Sequence, residues 1–279
     1  MKVPAFLFSE SPIPSYFVDV NTIIDPSISM RRIITCLTLL SCIVLLFAAC
    51  KKTDVFTSAP LEDYLNPQVG KYIIYRLDST KFTNFGQNTI KIQYQAKDEI
   101  DAAITDNLGR PAFRVIRYLR DTAGLAPWTP NSTYMIVPAK NSVEVIEDNF
   151  RYLKLMLPVK EGFNWKGNTY ISLYSNDQNW EYAYLDDWDY TYENVDMPFT
   201  VFNNQVVDTT LTVNQRNEVS GQPNDPNYYS EINFSLEVYG KGIGLVYKDF
   251  LHMEYQPPKG GDPGYKVGYG IKLNMISHN

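Results

Sequence analysis

Three stretches of this chain alternate between apolar and polar residues with a period of two. Tyr265, Val267, Tyr269, Ile271, Leu273 and Met275 are separated by Lys266, Gly268, Gly270, Lys272 and Asn274. Ile90, Ile92, Tyr94 and Ala96 alternate with Lys91, Gln93, Gln95 and Lys97, and Ile232, Phe234, Leu236 and Val238 with Asn233, Ser235 and Glu237. Successive side chains of a strand point to opposite faces, so each stretch reads as a strand with one buried and one wet face, the pattern of an antiparallel sheet. The apolar set is expected inside in all three. Further strands are expected at 71–79, 112–120, 133–137, 142–147, 151–158, 180–185, 188–192, 199–202, 206–213 and 242–255. Turn chemistry separates them, as at Asn107-Leu108-Gly109, Lys160-Glu161-Gly162 and Lys259-Gly260-Gly261-Asp262. Many strands joined by short turns specify an all-β, antiparallel, single domain: a barrel, half-barrel or sandwich. Helix is an alternative at 97–105, where Ile100, Ala103 and Ile104 have helical spacing.

Composition agrees. The chain is 44% hydrophobic and 14% aromatic, with 21 tyrosines and 14 phenylalanines. That is too apolar for disorder and favours strands. A net charge of −6 argues against nucleic acid as a partner, since such a partner calls for a basic face.

The N-terminal region carries an address. Arg31 and Arg32 precede an apolar run from Ile33 to Phe47, which ends in Ala48-Ala49-Cys50-Lys51-Lys52. The run is shorter than the roughly 20 residues a membrane-spanning helix needs and fits the apolar region of a secretory signal. Phe47-Ala48-Ala49-Cys50 resembles a bacterial lipoprotein signal, with Phe47 where Leu is usual. The resemblance implies that 30–49 is removed and that Cys50 is acylated, which would hold the mature chain to a membrane through its N-terminal lipid. Two or more acyl chains, at about 0.8 kcal/mol per buried methylene, make such an anchor stable. Residues 1–29, with four prolines and acidic residues ahead of the basic pair, fit no targeting pattern; translation is expected to begin at Met30. Cys36 and Cys42 would leave with the signal, so the mature chain has no thiol for a disulfide, a nucleophile or a metal. Residues 50–69 read as the lipidated cysteine and a linker, and 70–279 as the β-domain.

Tyr72 to Asp78, Asp106-Asn107-Leu108-Gly109-Arg110-Pro111-Ala112-Phe113-Arg114-Val115, Val143 to Pro158, Trp165-Lys166-Gly167-Asn168 and Tyr239-Gly240-Lys241-Gly242-Ile243-Gly244-Leu245-Val246-Tyr247 resemble a family of uncharacterised Bacteroidota lipoproteins. The resemblance implies an outer-membrane lipoprotein and carries over no site residues. In that phylum, surface-exported lipoproteins tend to carry acidic residues just after the cysteine. Lys51-Lys52-Thr53-Asp54 offers one, which favours the periplasmic side.

The stretch most able to carry a ligand runs from Trp180 to Glu193. Trp180, Tyr182 and Tyr184 share one face at period two, as do Trp188, Tyr190 and Tyr192, and a turn at Asp186-Asp187 would make a hairpin with a doubled aromatic face. Exposed, it would stack on sugar rings or apolar ligands; buried, it is core. Asp186, Asp187 and Asp189 are calcium candidates only in being oxygen-rich, because a loop with a turn glycine and a terminal bidentate Glu is missing. They read first as a solvated acidic edge, and then as carboxylates for glycoside hydrolysis. His252 reads as a strand histidine with a satisfied partner, since no Gly-x-Ser-x-Gly elbow accompanies it. Gly240-Lys241-Gly242-Ile243-Gly244 lies between strands with no helix to receive a phosphate and reads as a hairpin turn or bulge. Arg110, Arg114, Arg117, Arg120 and Arg151 read as solvated or ion-paired.

No cofactor is expected, and no nucleophile–base set points to an enzyme. Three readings follow: a non-enzymatic module that binds a glycan or other ligand or an envelope protein, or serves a structural role; a half-barrel carrier of an apolar ligand, which requires an inward apolar cavity; and a carboxylate-dependent glycan hydrolase.

Overall fold

The computed structural model describes residues 56–171 and 180–279, together with Met30, Thr35 and Leu37, which are helical. Residues 1–29, Cys50 and the rest of the signal segment lie outside the described residues, as do Asp177 and the side chains of Trp180 and Glu181. No helix among the described residues is long and apolar enough to cross a membrane.

Residues 57–279 form one compact unit built on a single 12-stranded antiparallel sheet. Its strands are β1 (Tyr72–Thr83), β2 (Asn88–Thr105), β3 (Pro111–Arg120), β4 (Thr129–Pro138), β5 (Ser142–Glu147), β6 (Phe150–Met156), β7 (Asn164–Lys166), β8 (Asp189–Thr200), β9 (Val206–Gly221), β10 (Ser230–Gly240), β11 (Gly244–Gln256) and β12 (Tyr265–His278). Their order is β6-β5-β4-β3-β2-β1-β12-β11-β10-β9-β8-β7. Two meanders thus meet where the first strand pairs with the last, with Leu77 opposite Leu273. The sheet curls into a nearly closed barrel, so of the expected architectures the sandwich is excluded.

The one seam lies between β6 and β7. There the Leu153 N–H donates to the Gly167 carbonyl (2.8 Å), and the Trp165 indole N–H to the Leu153 carbonyl (2.8 Å). The Tyr192 hydroxyl donates to the Met156 carbonyl (2.8 Å) and accepts from its N–H (2.7 Å). These bonds occupy backbone groups of β6 that would otherwise form a bare sheet edge, the usual template for aggregation.

Residues 97–105 are strand, and the helical alternative falls: β2 runs through them with a bulge between Ile100 and Ala102. Two expectations are corrected. The folded part begins ahead of Gly70. Leu61, in the 3-10 turn Leu61–Asp63, and Tyr64 are buried, and Ala59 bridges Val159. The Tyr64 hydroxyl donates to Asp196 (2.7 Å), and the Gly242 N–H to the Asp63 carbonyl (2.7 Å). The expected linker therefore closes one end of the barrel.

The second correction concerns β10. Its polar residues Asn233, Ser235 and Glu237 are buried, while Ile232, Phe234 and Leu236 face outward and are half-buried. The period was right and the face was inverted, because this wall of the barrel encloses polar side chains. On β2 and β12 the apolar set does point inward, although Ile90, Tyr265, Val267 and Tyr269 remain exposed near the open end.

Candidate functional site

The barrel encloses a lumen of about 510 Å³. Alternation on each strand decides what reaches it: Leu77 and Ser79 from β1, Tyr94 from β2, Arg117 and Leu119 from β3, Tyr152 and Lys154 from β6, Tyr190 from β8, Gln215 from β9, Ser235 from β10, Lys248 and Phe250 from β11, and Tyr269 and Ile271 from β12. Leu185 and Trp188 enter from the segment ahead of β8. Lys81, Asn131 and Asp148, exposed members of the lining, mark the mouth at the end opposite the 57–69 closure. The size is within the usual range for small-molecule pockets.

An ionic network forms one side of this space. Lys154 donates to Glu237 (2.8 Å), which also accepts from Gln215 (2.9 Å) and Tyr239 (2.7 Å). Ser235 donates to Gln215 (2.7 Å). Arg117 grips Asp98 through two bonds of 2.7 Å, and Tyr134 donates to the same carboxylate (3.0 Å). Lys248 lies between Glu237 (3.6 Å) and Glu147 (3.8 Å). Three cations therefore face three carboxylates.

The titration shifts follow from this balance. Burial opposes ionisation of Glu237, but Lys154, Lys248 and the hydrogen bonds from Lys154 and Tyr239 outweigh it and bring its carboxyl to about 2. Glu147 is likewise lowered, burial being outweighed by Lys248, Arg117 and Lys154. Burial pulls Lys154 down further than Glu237 holds it up, whereas Lys248, with two carboxylates beside it, is raised against its own burial.

The expected aromatic hairpin does not form. Residues Trp180–Leu185 are a 3-10 helix, and the place beside β8 is taken by β7, where Trp165 lies opposite Tyr190. With that edge occupied, 180–185 has no ladder to join. It is tied down instead by Asn168, which donates to the Leu185 carbonyl (2.6 Å) and accepts from the Tyr190 hydroxyl (2.7 Å).

The aromatic residues therefore separate into different roles. Tyr182 packs edge-on against Phe150, with ring centroids 5.0 Å apart. Tyr184 lies flat on the His252 imidazole, centroids 3.5 Å apart and planes within 6°. Trp188, 2% exposed, donates from its indole to the Tyr184 carbonyl (2.6 Å) and stacks near Phe250. Tyr190 and Tyr192 are buried, the former in the lumen wall and the latter at the seam. For Trp188, Tyr190 and Tyr192 the core reading holds, and no exposed sugar platform is formed by them. Trp188 and Tyr190 nevertheless line the cavity.

Asp187 and Asp189 lie outside the lumen and share Lys166, at 2.7 and 3.1 Å. Their side chains are 76% and 59% exposed, which makes them part of a solvated edge. Lys166 holds the Asp187 carboxyl below its ordinary range, the wrong direction for a general acid. Among the described residues no group of three or more His, Cys, Asp or Glu could hold a metal ion. His252 has the expected partner: its Nδ1 donates to the Asn233 side-chain carbonyl (2.7 Å). The arginines are paired, Arg110 with Asp106 and Glu144, Arg114 with Asp101, Arg117 with Asp98, and Arg151 with Glu144. Arg120 donates to Gln95 and lies over the Trp128 ring.

Sequence reasoning missed Lys154, Glu237, Lys248 and Glu147. One signal was present: Glu237 occupies a strand position whose neighbours alternate strictly, so a charge there had to face either solvent or an ionic partner.

No protein-family model matches the chain, and no curated protein does. One solved structure, described as an outer membrane lipoprotein-sorting protein domain from Vibrio parahaemolyticus, is 8% identical over 75% of this chain and 85% of that chain, with a TM-score of 0.17. At that score the likeness supports no statement about shared topology or function.

Proposed function

We propose that 57–279 is a non-enzymatic binding module whose barrel lumen receives one small ligand, and that the chain is held at the cell envelope by a lipid on Cys50. The observation that carries the binding reading is the lumen itself. A volume of about 510 Å³ is left open amid six aromatic rings, Tyr94, Tyr152, Trp188, Tyr190, Phe250 and Tyr269, with a mouth to solvent. A barrel built only as a scaffold gains stability by filling that space with side chains, because close packing is favourable throughout a core. The hydrolase reading loses its support in the exposed, Lys-paired carboxylates at 187 and 189.

The carrier reading gains the cavity it requires, but the walls are mixed and not uniformly apolar. The ligand is therefore amphiphilic, with a polar part that meets Lys154, Lys248, Gln215 and Ser235 and an apolar part against the rings.

The neutral fluorophore N-phenyl-1-naphthylamine tests the lumen. With the full chain carrying Cys50→Ser, its emission should rise saturably, and Ser132→Trp, which puts an indole at a half-buried position of the lining, should weaken binding by about tenfold or more. Absence of any saturable signal, or the same affinity in the blocked variant, removes the reading. The anchor has its own test. Intact mass of the natural protein should correspond to an N-terminal Cys50 bearing fatty acyl groups; an unmodified N-terminus overturns the envelope placement, including the periplasmic side and a partner within the envelope.

A further inference from the structure

The charges that meet in the lumen are balanced, and two of them are under-bonded. Arg117, Lys154, Lys248 and Glu147 line it, Asp98 and Glu237 stand behind the lining paired with Arg117 and Lys154, and the two exposed charges at the mouth, Lys81 and Asp148, are opposite in sign. Asp98, Lys154 and Glu237 are each hydrogen-bonded at 3.0 Å or closer. Lys248 is different. Its two carboxylate neighbours are at 3.6 and 3.8 Å, and its ammonium makes no hydrogen bond among the described residues. Glu147 accepts one long bond, from Arg117 at 3.5 Å. A donor with three hydrogens and an acceptor with free lone pairs therefore face each other across 3.8 Å, both in the lining of the cavity.

That gap suits one kind of group. An oxygen can sit about 2.8 Å from both atoms at once, accepting from the ammonium and donating to the carboxylate. A hydroxyl can do both; a carboxylate or phosphate can only accept, and an ammonium can only donate. Net charge points the same way. A ligand ion would give up part of its hydration on entering a space whose surrounding charges already cancel, and no surplus of opposite charge would repay that loss. Beyond the network, Tyr269 and Ile271 continue toward the mouth, where Ile90, Val267 and Tyr265 expose apolar surface on the same inward face of β2 and β12.

We infer, on the reading that the lumen is a ligand site, that it takes a single-chain amphiphile with an uncharged, hydroxyl-bearing head group, the hydroxyl seated between Lys248 and Glu147 and the chain lying along the apolar inner face toward the mouth. Three dodecyl-chain probes distinguish the head groups by displacing N-phenyl-1-naphthylamine from the full chain carrying Cys50→Ser: 1-monododecanoylglycerol (uncharged, two hydroxyls), dodecanoate and dodecylammonium. The glycerol ester should displace at a concentration at least about tenfold below either ion.

Charge-altering variants should then re-rank the probes. Glu147→Gln leaves the lumen with a surplus positive charge and should move preference toward dodecanoate. Lys248→Met leaves a surplus negative charge and should move it toward dodecylammonium. A natural chain that binds dodecanoate or dodecylammonium as well as the ester overturns the head-group assignment while leaving the lumen as a binding site. Variants that fold and keep the natural ranking overturn it too. Failure of all three probes with the fluorophore still bound rejects the amphiphile, and failure of the fluorophore itself rejects the lumen. Where a variant does not fold, the ranking of the natural chain decides.

Discussion

Replacing Lys154 by Met should destabilise the barrel by about 3–5 kcal/mol, the usual cost of removing one partner from a buried ion pair. The consequence falls on Glu237, which is 1% exposed and would keep only the Gln215 and Tyr239 hydrogen bonds and a distant Lys248. Against a total stability of about 5–15 kcal/mol for a typical domain, that loss is large. Urea unfolding followed by tryptophan emission would measure it. The pH dependence gives the sharper signature. In the natural chain the Glu237 carboxyl is depressed to about 2. Its contribution is therefore complete above the unfolded value of about 4.3 and is lost as pH falls from there toward 2. In Lys154→Met the folded carboxyl is pushed upward instead, so acidification protonates it and relieves the buried charge. The deficit of the variant should accordingly shrink between pH 7 and pH 4. Lys154→Met/Glu237→Leu, which removes both charges, should recover most of the loss. A single variant within about 1 kcal/mol of the natural chain, or a deficit that does not change with pH, would show that the pair is not what holds this side of the barrel.

The same pair explains where the sequence stopped being legible. Period-two alternation identified β2, β10 and β12 as strands, and for β2 and β12 it also gave the face, because Tyr94, Ala96, Leu273 and Met275 are apolar and point inward. For β10 the rule that apolar residues go inside fails. Glu237 is sheltered by a lysine 83 residues away in the chain, and no local pattern reports that contact. The aromatic stretch at 180–192 was legible in composition and illegible in geometry. Tyr190 and Tyr192 do share a buried face, but whether 180–185 could pair beside them depended on three residues, Asn164–Lys166, reaching that edge first. His252 has the partner expected of a strand histidine, and of the two fates open to the arginines, solvated or ion-paired, Arg110, Arg114, Arg117 and Arg151 take the second. The lumen was the least legible feature, since a cavity is a property of the closed sheet and of no single strand.

Two aromatic side chains, beside one backbone bond, join the edges of that sheet, so Trp165→Ala should cost about 3–5 kcal/mol as a large-to-small change in a packed site. Trp165 is 6% exposed, stacked on Phe163, edge-on to Tyr190 and tilted against Tyr192, and it donates to the Leu153 carbonyl across the seam. Its loss removes packing and the seam bond together. Tyr192→Phe separates the two effects: the ring and its contacts remain, while the hydroxyl that serves both the N–H and the carbonyl of Met156 is gone. Leaving those groups unpaired should cost about 1–3 kcal/mol. Because β6 has a ladder partner, β5, on one edge and this seam on the other, the damage should be local before it is global. Amide exchange should accelerate at Leu153 and Met156 in both variants, with little change at Leu77 and Leu273 in the β1–β12 ladder, until unfolding of the whole domain takes over. If protection instead falls evenly across all strands, or Tyr192→Phe unfolds with the natural midpoint, then the sheet is held closed by its curvature and core and the aromatic pair adds nothing to the seam.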